Sequence, residues 1–253
     1  MWVAGQDLLA SAGDDGTVRI WDPATGTQLR QLSGHTGLVL GLCAVRVAGQ
    51  DLLASAGDDG TVRIWDPATD ISVPRPPRRW FRCRTAHTGR VFGLCAVRVE
   101  GQDLLASAGD DLTVRIWDPT TGTELRELAS HARGVNGLCA VRIEGRDLLA
   151  SAGDDGTVRI WDPATGTKLR RLTGHGGRVN GLCAVRVEGH DLLASAGVDL
   201  TVRIWDPTTG TEIARVPTYA NATTVVAIAT QVVVGLDTGL LAIELSPNIG
   251  KTP

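Results

Sequence analysis

Short runs of apolar and β-branched residues alternate with turn residues along the chain. In the segment 39–65 the runs cover Val39 to Val47, Leu52 to Ala56 and Thr61 to Trp65, and a weaker run lies near Arg30 and its equivalents. Gly and Asp separate the runs, and a helix fits none of these segments. The pattern predicts an all-β protein made of four-stranded units.

The longest run is apolar on both faces of the predicted strand. One face would carry Val39, Gly41, Cys43, Val45 and Val47, and the other would carry Leu40, Leu42, Ala44 and Arg46. A strand that is covered on both sides is typical of the inner layers of stacked sheets. We therefore expect this strand to lie between neighbouring sheets.

The same unit recurs along the chain, and this internal repetition is the strongest signal in the sequence. The heptapeptide Asp-Leu-Leu-Ala-Ser-Ala-Gly recurs at spacings of 44, 52, 44 and 44 residues, beginning at Asp7, Asp51, Asp103, Asp147 and Asp191. A diverged sixth copy, without Trp-Asp, includes Val232 to Leu236 and Gly239 to Ile243. The repetition predicts one small sheet per copy.

Each full copy closes its third run with a Trp-Asp dipeptide, and two copies carry Gly-His before the first run. The motifs are Trp21-Asp22, Trp65-Asp66, Trp117-Asp118, Trp161-Asp162, Trp205-Asp206, Gly34-His35 and Gly174-His175. Over nearly the whole chain, the sequence resembles the WD-repeat β-propeller family, in its bacterial type with nearly identical repeats. The resemblance implies a closed ring of four-stranded antiparallel blades, usually seven, that is a non-catalytic scaffold for protein, peptide or sometimes nucleic-acid partners.

The repeats are expected to form a single β-propeller domain over residues 1–253. Approximate repeats are 1–35, 36–87 with an insertion at 70–84, 88–131, 132–175, 176–219 and 220–253. The first repeat lacks most of its inner strand and the sixth lacks a clear outer strand, so we expect six blades with an irregular closing blade. The alternative is an incomplete seven-bladed propeller that closes through another chain, which would allow self-association.

A histidine, a serine and an aspartate recur together in four copies, as they do in catalytic triads. An active site is seldom built four times in one chain, so the repetition favours architecture. In the family that the sequence resembles, these residues join the tryptophan of the third strand in a hydrogen-bonded network. We predict no catalytic residues and four structural tetrads: His35, Ser55, Asp59 and Trp65; His87, Ser107, Asp111 and Trp117; His131, Ser151, Asp155 and Trp161; His175, Ser195, Asp199 and Trp205.

The copies differ most just after the recurring histidine. In the related family, the third and fifth positions after this histidine project from the top of the ring, together with the residue before the hairpin aspartate. Apolar anchors beside arginine favour partner binding, whereas neutral drift after recent duplication is the alternative explanation. The predicted residues that bind a protein or peptide are Leu38, Leu40, Asp58, Arg90, Phe92, Asp110, Leu112, Asn136, Asp154, Arg178, Asn180, Val198 and Leu200.

The segment 70–84 between the second and third repeats, which makes this spacing eight residues longer than the others, is rich in arginine and aromatic residues. Such residues can grip phosphates and stack on bases, whereas Pro74, Pro76 and Pro77 suit an edge strand and exclude a central one. The alternative function is therefore binding of nucleic acid or an acidic ligand through Arg75, Arg78, Arg79, Trp80, Phe81, Arg82 and Arg84. The acidic balance of the chain weighs against it.

The composition is that of a globular chain: 253 residues, 43% hydrophobic, 21% charged, with a net charge of −3. No apolar stretch approaches the roughly 20 residues of a membrane helix, and no leader pattern is present, so we expect a cytoplasmic protein that makes no membrane contact. The cysteines Cys43, Cys95, Cys139 and Cys183 share one repeated position and are expected to be buried thiols. Without a CxxC spacing, we predict neither a metal nor a cofactor.

Overall fold

The computed structural model describes residues 2–3, 6–67, 82–83, 87–129 and 131–245. Every regular element in these ranges is a β-strand. The strands form six antiparallel sheets of three or four strands, preceded by one two-stranded pair. Each sheet corresponds to one sequence repeat, and within a sheet the strands follow chain order.

The first sheet has three strands in the described part of the chain. The pair β1 (Trp2–Val3) and β2 (Gln6–Asp7) is followed by the sheet β3 (Leu9–Ala12), β4 (Thr17–Trp21) and β5 (Gln28–Ser33). Trp2 pairs with Asp7 as Arg46 pairs with Asp51 in the next repeat, so β1 corresponds to the end of an inner strand.

Four complete sheets follow, and in each the first strand, here called the inner strand, is the longest. The second sheet contains β6 (Val39–Val47), β7 (Gln50–Gly57), β8 (Val62–Trp65) and β9 (Arg82–Cys83); the third contains β10 (Val91–Val99), β11 (Gln102–Gly109), β12 (Thr113–Asp118) and β13 (Thr123–Ala129); the fourth contains β14 (Val135–Ile143), β15 (Arg146–Gly153), β16 (Thr157–Trp161) and β17 (Lys168–Thr173); the fifth contains β18 (Val179–Val187), β19 (His190–Gly197), β20 (Thr201–Trp205) and β21 (Glu212–Pro217). The sixth sheet contains β22 (Ala222–Ile228), β23 (Gln231–Leu236) and β24 (Gly239–Glu244).

A β-bulge interrupts each inner strand near its start. In β6, Val39 pairs with Gly57 but Gly41 pairs with Ala56, which leaves Leu40 in the bulge. The equivalent bulges hold Phe92, Asn136 and Asn180. Glycine is required after the bulge in β6, because a Cβ on Gly41 would lie 2.8 Å from the carbonyl oxygen of Phe92. The prediction of uninterrupted alternation is therefore wrong here, since the bulge redirects the fifth side chain after the histidine.

The chain divides into two compact units. The first comprises residues 1–111 and 115–127, and the second comprises residues 112–114 and 128–253.

Within each unit, the core forms between neighbouring sheets. The face of a sheet that packs against the next sheet along the chain is here called its back face, and the opposite face is called its front face. In the first unit, Leu8 and Ile20 on the back of the first sheet pack with Leu53 on the front of the second. In the second unit, Val185 on the back of the fifth sheet packs with Val232 on the front of the sixth. Alternate residues of one strand thus serve two different interfaces, which explains why both faces of the strands are apolar.

Candidate functional site

The loop after each histidine and the turn between the second and third strands lie side by side at one end of each sheet, here called the upper end. Backbone hydrogen bonds join them: the amide of Asp58 donates to the carbonyl of Leu38 over 2.8 Å, and the amide of Val198 donates to that of Arg178 over 2.9 Å. The third position after the histidine is therefore held beside the residue that precedes the hairpin aspartate.

Below the upper end, each recurring histidine connects the loop to the sheet. Nδ1 of His35 lies 3.0 Å from Oδ1 of Asp59, Nε2 lies 2.7 Å from Oγ of Ser55, and Nε1 of Trp65 donates to the same Oγ over 2.7 Å. The corresponding distances are 2.7 to 2.9 Å in the other three copies, which contain His87, Ser107, Asp111 and Trp117; His131, Ser151, Asp155 and Trp161; and His175, Ser195, Asp199 and Trp205.

The order of donors and acceptors determines which atom of this network carries each proton. The indole N–H of Trp65 can only donate, so Oγ of Ser55 accepts it and donates its own proton to Nε2 of His35. The Nδ1–H of His35 then donates to the carboxylate of Asp59. Because Ser55 is fully buried, its hydroxyl cannot meet a substrate as a triad nucleophile must. The arrangement is suited to holding the loop against the sheet.

Burial and hydrogen bonding shift the pKa values of the network downwards. Burial lowers the pKa of His35, although the hydrogen bond and the charge of Asp59 oppose it. Burial acts to raise the pKa of Asp59, but hydrogen bonds from Thr61, from the backbone amide of Thr36 and from His35 outweigh it and hold the pKa at about 2. The pKa is lowered in the same way at His87, His131, Asp155, His175 and Asp199. At neutral pH, a neutral imidazole therefore faces an ionised carboxylate.

An arginine of the third strand extends the network outwards, which the sequence analysis did not predict. Arg203 is only 4% exposed, and it lies 3.4 Å from Asp199 and also contacts Glu212. Similarly, Arg159 lies 3.0 Å from Asp155. The signal was present in the sequence, because all five full copies carry arginine within the segment Thr-Val-Arg-Ile-Trp.

In the first unit, three neighbours restrain Arg90 at the upper end. Its Nε lies 2.8 Å from Oδ2 of Asp110 and 3.7 Å from Oδ1 of Asp58 in the preceding sheet. Its guanidinium carbon lies 5.1 Å from the centre of the Phe92 ring. Arg90 and Leu38 are both exposed, so a restrained charge and apolar surface occur together. We call this group the Arg90 cluster: Leu38, Leu40, Asp58, Arg90, Phe92 and Asp110.

In the second unit, a valine replaces one of the two aspartates that flank the arginine in the first unit. Nε of Arg178 lies 3.8 Å from Oδ1 of Asp154, and Val198 stands where the first unit has Asp110. The upper end is thus less acidic beside Arg178 than beside Arg90.

The two asparagines of the predicted surface donate hydrogen bonds within the protein. Nδ2 of Asn136 donates to Oδ1 of Asp154 over 2.7 Å and to the carbonyl of Val179, in the next sheet, over 2.9 Å. Nδ2 of Asn180 donates to the carbonyl of Ala222, also in the next sheet, over 2.6 Å. Their amide groups join neighbouring inner strands, which gives these bulge residues a structural role that the sequence analysis did not predict.

Leu112 and Leu200 occupy a turn position where the other copies have glycine. Their φ angles are +71° and +59°, in the left-handed region that disfavours a Cβ. Glycine adopts φ angles of 71° to 75° at the same position in Gly16, Gly60 and Gly156. Both leucines are exposed, at 41% and 42%, so burial gives little compensation for the backbone strain.

A family profile matches five successive segments of this architecture. The family described as "WD domain, G-beta repeat" matches residues 2–22, 26–66, 80–118, 122–162 and 166–206. These segments cover most of the chain, and each ends at the aspartate of a Trp-Asp dipeptide. The chain belongs to the WD40-repeat family. WD40 propellers generally act as non-catalytic scaffolds for protein interactions.

Two WD40 relatives illustrate how far the similarity extends. WD repeat-containing protein srw1 of Schizosaccharomyces pombe is 30% identical over 130 residues, which are 51% of this chain and 21% of that protein. Nuclear distribution protein PAC1 of Gibberella zeae is 32% identical over 134 residues, which are 49% of this chain and 27% of that protein. The chain therefore matches about a quarter of the length of these curated relatives.

A solved WD40 structure shows the same fold. The WD40 β-propeller domain of Doa1 superimposes with a TM-score of 0.75 at 21% sequence identity, over 96% of this chain and 76% of that chain. The predicted WD-repeat β-propeller is thus confirmed, and six sheets agree with the prediction of six blades.

Most of the arginine-rich insertion of this WD40 chain lies outside the described residues. Arg82 lies in β9. The other residues predicted for the alternative basic site lie outside the described residues, namely Arg75, Arg78, Arg79, Trp80, Phe81 and Arg84.

The four cysteines predicted to be buried lie in the inner strands of this WD40 chain; Cys95 and Cys183 are buried, whereas Cys43 and Cys139 are only partly buried. Burial makes the thiols of Cys43 and Cys183 poor nucleophiles. Burial raises the pKa of Cys183 to about 12 and also raises the pKa of Cys43.

Among the described residues, no group of three or more His, Cys, Asp or Glu side chains is placed to hold a metal ion. In the same part of the chain, no helix is long and apolar enough to span a membrane.

Proposed function

We propose that this WD40 protein is a non-catalytic scaffold that binds a protein or peptide partner at the upper ends of its sheets. The observation that carries the proposal is the pair Leu112 and Leu200, which combine positive φ angles with exposed side chains. An apolar residue at a strained and exposed position weakens the fold without gaining burial. Such strain often marks a residue that serves function, here contact with a partner.

The Arg90 cluster supports a partner that combines apolar and basic character. Asp58, Asp110 and the Phe92 ring restrain the Arg90 side chain before binding, which lowers the entropic cost of an interface. Leu38 and Phe92 offer apolar contact, and two carboxylates against one guanidinium leave the cluster with an excess of negative charge. A peptide with an apolar side chain flanked by basic residues fits this chemistry.

The proposal assigns no catalytic role to the tetrads. Each buried serine is already engaged by a tryptophan and a histidine, and the same arrangement occurs four times. This favours a role in holding the upper-end loops that would contact the partner.

Affinity capture from native lysate tests the proposed surface. The variant carries Leu38→Ala, Arg90→Ala and Phe92→Ala, and the matched control carries Leu125→Ala and Leu169→Ala, which are comparably exposed leucines on outer strands. We expect the parent and the control to capture the same protein and the cluster variant to bind at least about tenfold more weakly, or about 1.4 kcal/mol. If all three proteins capture it equally well, with matching circular dichroism, the surface is wrongly assigned.

The alternative function is nucleic-acid binding through the arginine-rich insertion, and it stays a prediction from composition. It predicts capture that disappears after nuclease treatment or at high salt, and that depends on Arg78, Arg79 and Arg82. Capture that survives nuclease but is lost in the cluster variant would instead support the protein scaffold.

Cytoplasmic location and self-association also stay predictions. The first is testable by fractionation of cells, and the second by sedimentation velocity over a range of protein concentrations.

A further inference from the structure

The outer strand of the fourth sheet, β17, carries basic residues where other copies carry acidic or neutral ones. The two positions are Lys168 and Arg171. Their equivalents are Glu124 and Glu127 in the third sheet, Glu212 and Arg215 in the fifth, and Gln28 and Gln31 in the first. Among the outer strands that the structure describes over this stretch, only β17 is basic at both positions.

Glutamates at these positions bind the arginine of the third strand in two other sheets. In the third sheet, Nη1 of Arg115 lies 2.9 Å from Oε2 of Glu124. In the fifth sheet, Glu212 contacts Arg203 and also lies 3.0 Å from Nε of Arg215. A carboxylate therefore neutralises this face of both sheets, and in the fifth it bridges two guanidinium groups.

In the fourth sheet, the same face brings three positive charges together. Arg159 pairs with Arg171 directly across the ladder, and Lys168 pairs with Trp161, two residues further along the same face. Like charges directly opposite each other destabilise a sheet. Asp155 lies 3.0 Å from Arg159, whereas Lys168 and Arg171 are exposed and form no ion pair with a described residue.

We propose that this face of the fourth sheet binds an acidic peptide segment of a partner protein through Arg159, Lys168 and Arg171. The protein itself shows the chemistry of the ligand, because a carboxylate occupies the equivalent place in the third and fifth sheets. A carboxylate of the peptide would bridge the facing arginines as the glutamate of the fifth sheet does, and it would relieve their repulsion. The surface shares no residue with the Arg90 cluster and does not depend on the partner proposed for the upper ends.

An acidic peptide fits this surface better than a nucleic acid does. The two basic positions of β17 are three residues apart, so they extend over only about 10 Å. Single-stranded nucleic acids bind along longer basic grooves and stack their bases on exposed aromatic rings. Trp161 is the only aromatic residue in the strands β14 to β17, and it is 3% exposed.

Titration of the chain with a hexaglutamate peptide, followed by the backbone amide signals in NMR spectra, tests the proposal. We expect the largest shifts at Arg159, Lys168 and Arg171, and an affinity that falls as salt is raised, because salt screens exposed charges. The variant Lys168→Glu with Arg171→Glu reproduces the pattern of the third sheet and should bind at least about tenfold more weakly. The control Arg142→Glu with Arg186→Glu changes the net charge equally, at exposed arginines of inner strands, and should bind like the parent.

Two further arms keep the test decisive. The neutral variant Lys168→Gln with Arg171→Gln has the residues of the first sheet and should also bind more weakly, even if charge reversal disturbs the fold, which circular dichroism checks. Hexathymidylate, titrated in the same way, distinguishes an acidic peptide from a single-stranded nucleic acid. A parent that shows no shifts with hexaglutamate, equal losses in the charge-reversed variant and its control, a folded neutral variant that binds like the parent, or tighter binding of hexathymidylate than of hexaglutamate would each overturn the proposal.

Discussion

Leu200 has a backbone angle that favours glycine and a side chain that is largely in contact with water. Leu112 shows the same combination, while Gly156 occupies the equivalent turn between them along the chain. Local preference and global fold usually agree at a given position, and disagreement tends to mark function. At the scale of the residue, these two leucines are therefore stronger evidence for a contact surface than their hydrophobicity alone.

Leu200→Gly is expected to stabilise the protein by about 1 kcal/mol, because relief of the left-handed strain exceeds the added freedom of glycine in the unfolded chain. Denaturant unfolding of the parent and the variant measures the difference. Gly156→Leu is the matched reverse change, and a Cβ there would lie 3.2 Å from the carbonyl oxygens of His175 and Gly177. It should destabilise the protein, and a loss of stability in Leu200→Gly would contradict the strain argument.

At the scale of the element, each tetrad fastens a loop to the second and third strands of one sheet. Trp161 is 3% exposed and donates to Oγ of Ser151 over 2.9 Å. Trp21 donates to Oγ of Ser11 over 2.8 Å but is partly exposed. The two tryptophans share a hydrogen bond and differ in burial.

Trp161→Ala is expected to lower the free energy of unfolding by roughly 3–5 kcal/mol, because it leaves a large cavity and removes a donor from a buried hydroxyl. Trp21→Ala should cost clearly less, because part of its ring is already in water. Denaturant titration of both variants provides the comparison. Equal losses would mean that burial does not set the cost, and an unchanged stability of Trp161→Ala would contradict the role of the tetrad.

The strands could be predicted from sequence because their alternation and turn residues recur, as the run Val39 to Val47 shows. The bulge was missed because one inserted residue shifts register without changing the apolar composition, although Gly41 is the kind of isolated strand glycine that signals it. The internal role of Asn136 depends on Val179 in the next sheet, a contact that no local pattern contains. The buried position of Arg203 was missed because charged residues are usually assigned to the surface.

At the scale of the whole molecule, the tetrads distribute the same titrating groups over both units. His35 and His87 belong to the first unit, and His131 and His175 belong to the second. Burial lowers the pKa of each of these histidines below the ordinary value of 6.5. One change of pH therefore acts on both units.

The free energy of unfolding is expected to fall as pH is lowered through 6.5, because the unfolded histidines bind protons that the folded ones exclude. A further loss is expected below 3.8, where unfolded aspartates gain protons while the pKa of Asp59 and Asp199 stays at about 2 in the folded protein. Urea unfolding from about pH 8 to about pH 3 measures both steps. His175→Gln removes one titrating group, so its stability should be lower at neutral pH and should change less around pH 6.5. If the stability of the parent were flat between neutral pH and the aspartate range, the histidines could not be held neutral by the fold, and the donor order from tryptophan through serine and histidine to aspartate would be wrong.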